Sequence, residues 1–198
     1  GAHSIKLSMA VNTVLKEMLE ISTNTKETKF MLNNKYVLVN SKPIHDVHHS
    51  VGFMDTISIP NLKKSYRVSF DERGKLIFFP IDDPQLRVLR VNNKTTEKGG
   101  KQTLNLYSGL NILSDLKCNI GDGILIDKDS IKKHLPLKEG SYVILTAGKH
   151  IGKVGKISKI LTDNNMKMIE LQSGSESFVT LLDFAYVLGE NHSEIKIV

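Results

Sequence analysis

The sequence predicts an α+β fold that is mainly β, on three observations. Helical apolar spacing is confined to the start of the chain, at Val11, Val14, Leu15, Met18 and Leu19. Beyond residue 60 the apolar residues fall in short alternating runs broken by turn residues, and 60–140 contains no convincing helix of ten residues. A glycine-punctuated stretch at 140–160 then joins two such runs. The 198 residues suit one or two domains, or three small ones. Three are expected, at 5–59, 60–135 and 136–190, with a tail at 191–198.

The elements follow in order. The first helix is expected from Ser8, with Ser8 as its cap. A shorter second helix should start with Asn24 or Thr25 as cap and Glu27 in its first turn. Phe30 and Met31 are its apolar contribution, and Asn33-Asn34 should supply its exit. Tyr36–Val39 reads as a strand, Asn40–Pro43 as a turn and Thr56–Ile59 as a return strand. Tyr66–Phe70 and Lys75–Phe79 form a hairpin about Gly74. Further strands are expected at 86–91, 102–107, 123–127 and 142–145.

Composition narrows the function. With 40% hydrophobic and 24% charged residues the chain is globular, not disordered. No apolar run approaches the ~18 residues of a membrane span, and no secretory leader is visible. The one cysteine, Cys118, excludes an internal disulfide and a CxxC metal knuckle, which makes a reducing, cytoplasmic setting the default. The net charge is +6 and the pI near 9.3, which favours a polyanionic partner. Two clusters concentrate it. Arg87, Arg90, Lys94, Lys98 and Lys101 stand against Glu97 alone, and Lys149, Lys153, Lys156 and Lys159 have no acid among them. Screening within ~8–10 Å makes such local excess matter more than the sum.

The order of two short helices, the "VLVNSK" strand and a return strand resembles the alpha-L RNA-binding module. That resemblance implies that Lys26, Lys29 and Lys35, with Lys42 on the hairpin turn, face structured RNA. Lysine here lacks the bidentate fork of the arginine more usual in that module. Gly148, Gly152 and Gly155, with Val143, Leu145, Val154 and Ile157, resemble a KOW motif in a small barrel. It implies RNA or protein contact through Lys149, His150 and Lys153, followed on the next strand by Lys156 and Lys159. The same stretch is no P-loop, because three residues separate Gly148 from Gly152 and Val154 follows Lys153.

Alpha-L module, β-rich centre and KOW unit, in that order, resemble the S4e family of small-subunit ribosomal proteins, of the archaeal type. The phrases that carry it include "VGFMDTISI" (51–59), "RVSFDERGKLIFFPI" (67–81), "GKVGKI" (152–157) and "ESFVTLLDFAYVLG" (176–189). The basic N-terminal extension of that family is absent here, and the chain stops soon after Gly189. The resemblance implies a structural rRNA-binding protein of translation, cytoplasmic and ribosomal. Its partners would be small-subunit rRNA and neighbouring ribosomal proteins, with no membrane, small-molecule substrate, metal or cofactor. It would be monomeric outside the ribosome. The alternative is a KOW-type transcription-elongation or ribosome-assembly factor.

Catalysis is not expected. HExxH and GxSxG are absent. His45, His48 and His49 lie near Asp46 without a convincingly spaced fourth ligand. Asp55 is a carboxylate without the large catalytic domain of the pseudouridine synthases. Cys118 is expected to be an inert thiol, and Tyr66, Phe70, Phe78, Phe79 and Phe178 to be core.

Overall fold

The computed structural model describes His3 and residues 7–96, 102–163 and 166–197. Lys98 and Lys101 of the first basic cluster lie outside the described residues. The chain forms two compact units, one of Gly1–Ser69, Leu76–Arg87 and Ile197–Val198, the other of Phe70–Lys75 and Val88–Lys196.

The first unit opens with a strand where a helix was expected. β1 (Ser8–Ala10) pairs antiparallel with β4 (Ser50–Gly52). The helix α1 (Val11–Thr13) starts only after it and continues as a π-wound turn, Val14–Met18. Ala10, not Ser8, stands at the N-cap of α1. The first helical N–H groups are satisfied by tertiary partners instead, Val11 donating to the His49 carbonyl at 2.9 Å and Asn12 to that of Val47 at 3.1 Å. Val11, Val14 and Leu15 are buried as expected, but the wider π winding turns Met18 off the buried stripe and leaves it 42% exposed.

The second helix, α2 (Thr25–Asn33), is built by its cap. The Asn24 side chain accepts from the Glu27 N–H at 3.0 Å, and the Glu27 carboxylate accepts from the Thr23 N–H and hydroxyl at 2.7 and 2.9 Å. Those Thr23 bonds, backbone first, hold the Glu27 carboxyl below its ordinary pKa. The left-handed exit residue is Lys35, at φ 58°, not either asparagine. Thr28 and Leu32 form the buried face, so Phe30 is not a core residue.

β2 (Leu38–Val39) and β3 (Lys42–Pro43) meet through Asn40 and Ser41, both at positive φ, the pattern of a two-residue type I′ turn. Lys42 thus sits on a strand opposite Val39, just past the turn. With β5 (Thr56–Ile59), β6 (Lys64–Phe70) and β7 (Leu76–Pro80) they form a sheet in the order β3-β2-β5-β6-β7. The helices and this sheet share one core, with Leu15, Leu32, Val37, Ile57 and Val68 at its centre.

The second unit carries two five-stranded sheets. In the first, β8 (Leu86–Thr96), β9 (Gln102–Leu106), β10 (Asn111–Leu113), β11 (Gly123–Asp127) and β12 (Ser130–Leu135) run in the order β10-β9-β8-β11-β12. In the second, β13 (Tyr142–Leu145), β14 (Val154–Asp163), β15 (Met166–Ser173), β16 (Glu176–Leu181) and β17 (Ala185–Gly189) run β16-β15-β14-β13-β17. Tyr186 joins the sheets within this unit. Its hydroxyl donates to the Val88 carbonyl at 2.9 Å and accepts from the Arg90 N–H at 3.2 Å. The fold class is the mainly β, α+β class that the sequence predicts.

Candidate nucleic-acid interface

The glycine loop between β13 and β14 is held rigid by its own backbone. Gly152 donates to the Leu145 carbonyl at 2.8 Å, and Leu145 to that of Lys153 at 3.0 Å. Gly148 and Gly152 adopt φ of 84° and 82°. A Cβ on Gly152 would collide with the Asp71 carbonyl oxygen, and one on Gly155 with that of Gln172. The loop therefore needs glycine for close backbone approach as well as for turning.

On this frame the basic residues divide. Lys149 and Lys159 are exposed. The His150 ring stacks on Phe178, centroids 4.2 Å apart and planes 19° from parallel. Lys153 lies 5.5 Å from the same ring and pairs with Glu176 at 2.7 Å. That hydrogen bond raises the Lys153 pKa and lowers that of Glu176. Lys156 donates to the Asn191 side chain at 3.0 Å.

The described members of the first basic cluster are engaged inside the second unit or buried. Arg87 is 4% exposed and so offers almost no surface to a phosphate. Arg90 donates from its guanidinium to the Asp183 carbonyl at 2.6 Å, and the Lys94 ammonium donates to the Cys118 carbonyl. Arg90 and Lys94 thus bind backbone oxygens of residues outside the strands.

The lysines that the sequence singles out in the first unit are all exposed. Lys26 and Lys29 are exposed on α2, Lys35 at its exit and Lys42 on β3. The sequence reading missed Phe30 and Tyr36 beside them. Phe30 is 60% and Tyr36 36% exposed, and their rings meet edge to face, centroids 6.1 Å apart. The signal is in the sequence, because Phe30 falls opposite Thr28 and Leu32 at helical spacing, but the sequence reading takes Phe30 only as an apolar contribution of the second helix and Tyr36 as a strand residue.

Of the candidates for chemistry, Asp55 has a structural role. Asp55, 2% exposed, accepts from the Gly52 N–H at 3.0 Å, the Asn40 amide at 2.7 Å and the His3 ring at 2.6 Å. Its oxygens tie the β2–β3 turn to the β4–β5 turn. Among the described residues no three His, Cys, Asp or Glu side chains group as metal ligands, and Asp46 accepts from the His48 N–H. Cys118 is buried, and burial pushes its thiol up. No described helix is long and apolar enough to cross a membrane.

Comparison with known proteins extends the geometry. The sequence model of Ribosomal family S4e matches residues 62–132. Small ribosomal subunit protein eS4 of Methanothermobacter thermautotrophicus is 36% identical over 100% of this chain and 84% of its own length. The protein of the same name from Methanosphaera stadtmanae is 36% identical over 100% of this chain and 85% of its own. The crystal structure of the 30S ribosomal protein S4e from Thermoplasma acidophilum superposes with a TM-score of 0.79 at 26% identity, covering 93% of this chain and 96% of that one. Similarity along the whole of the given sequence at this identity, together with the shared fold, places the chain in ribosomal family S4e, the family of small ribosomal subunit protein eS4.

Proposed function

We propose that the chain is a structural constituent of the small ribosomal subunit that binds rRNA through exposed lysines. Its membership of the S4e family carries this reading. The mechanism is electrostatic adhesion: ammonium groups neutralise clustered phosphates and release condensed counterions. Lys26, Lys29, Lys35 and Lys42 on the first unit, and Lys149 and Lys159 on the second, are the primary contacts. His150, Lys153 and Lys156 are reached once their internal partners yield. Arg87 is left out of the contact set, and Arg90 and Lys94 act as structural cations. Lysine side chains meeting phosphates favour recognition of RNA shape over base edges.

The partners are small-subunit rRNA and adjacent ribosomal proteins, the location is the ribosome, and the free protein is a monomer without catalytic activity. Crosslinking in cells tests this reading. Peptides containing Lys29 and Lys149 should crosslink to small-subunit rRNA. Crosslinks to nascent transcripts in their place would favour the elongation-factor alternative.

A further inference from the structure

We infer that Phe30, braced by Tyr36, is a stacking platform for an unpaired RNA base whose neighbouring phosphates meet Lys26 and Lys29. The inference deepens the proposed rRNA-binding role and rests on it. Phe30 lies on the face of α2 opposite Thr28 and Leu32, which are both fully buried. A phenylalanine in that position buries little of its surface on folding, yet its ring is not loose. Tyr36, whose N–H is held by the Met31 carbonyl at 2.9 Å, meets it edge to face at 75°. Bracing reduces the rotamer entropy that binding would otherwise cost.

The surroundings identify the occupant. Lys26 precedes Phe30 by one turn, Lys29 adjoins it, and Lys35 stands at the helix exit, all three exposed. Asn33 and Asn34 complete the exposed rim. The acid nearest in sequence, Glu27, is occupied by Thr23. An apolar protein partner would leave these ammonium groups to be desolvated without compensation. A single-stranded polyanion carrying flat π-faces fits both features at once.

The test uses the full chain, a short oligoadenylate, a blunt RNA duplex and small-subunit rRNA. The chain contains no tryptophan, so Phe30→Trp places a single indole at the platform, excited selectively over the five tyrosines. Its emission should be quenched on binding oligoadenylate and rRNA. Phe30→Leu keeps an apolar side chain without a ring, at a site too exposed to endanger folding. It should weaken oligoadenylate and rRNA binding by roughly 5- to 150-fold, the range for losing one stacked base. The salt dependence and the duplex affinity should stay unchanged. Unaltered indole emission from the Phe30→Trp variant at saturating RNA, or wild-type oligoadenylate and rRNA affinities for Phe30→Leu, overturns the platform while leaving rRNA binding intact. Normal RNA affinity with lost incorporation into small subunits would assign Phe30 to a protein neighbour and also overturn it. Failure of the wild-type chain to bind any of the RNAs would overturn the underlying role as well.

Discussion

Asn24 and Glu27 show how much a local signal can specify. Their side chains satisfy donors at the start of α2 that no tertiary contact reaches. Asn24→Ala should cost about 1 kcal/mol in denaturant unfolding. Glu27 adds a pH dependence of known sign. Its folded pKa is depressed, so its contribution is present above the ordinary carboxylate range and is lost as pH falls through the folded value. The stability advantage of wild type over Glu27→Gln should therefore shrink on acidification, and an advantage that grew would contradict the cap. Gly152 makes a sharper demand. Its φ of 82° and its close approach to the Asp71 oxygen mean that Gly152→Ala should cost more than about 2 kcal/mol. Thermal unfolding reads that directly.

At the scale of elements, legibility followed the source of each element's stability. The α2 cap, the Gly74 hairpin and the glycine loop were legible because local residue chemistry builds them. So were β11 and β13, found at 123–127 and 142–145 as expected. The start of α1 was not legible, because its N–H donors are satisfied by residues 47 and 49, far along the chain. β16 was not resolved as a strand, since its exposure does not alternate cleanly and its pairing with β15 supplies the order. Site residues divide the same way. Lysine density singles out 149–159 in the sequence, but sequence cannot show that Arg90 and Lys94 are engaged by internal carbonyls. Pairing on the β16 edge also has a consequence for binding. Glu176 competes with phosphate for Lys153. Glu176→Gln should tighten rRNA binding a few-fold and steepen its salt dependence by about one phosphate contact. Unchanged affinity and slope would mean that Lys153 faces no RNA.

Across the whole molecule the charge is small for an RNA-binding protein, +6 over 198 residues, so its placement has to do more than its sum. Sequence density alone ranks the 87–101 and 149–159 clusters above residues 1–59, which are net +1. The burial of Arg87 and the internal bonds of Arg90 and Lys94 change that ranking. The exposed lysines of α2 now stand level with those of the glycine loop. The central claim, adhesion to rRNA phosphates through these exposed lysines, is tested most directly by salt-titrated binding of the full chain to small-subunit rRNA. If about five cations meet phosphates, log K should fall with log salt at a slope of roughly −4. Replacing Lys26, Lys29, Lys149 and Lys159 together by Gln should remove about three units of that slope. An unchanged slope in the fourfold variant, with its fold intact, would contradict the account.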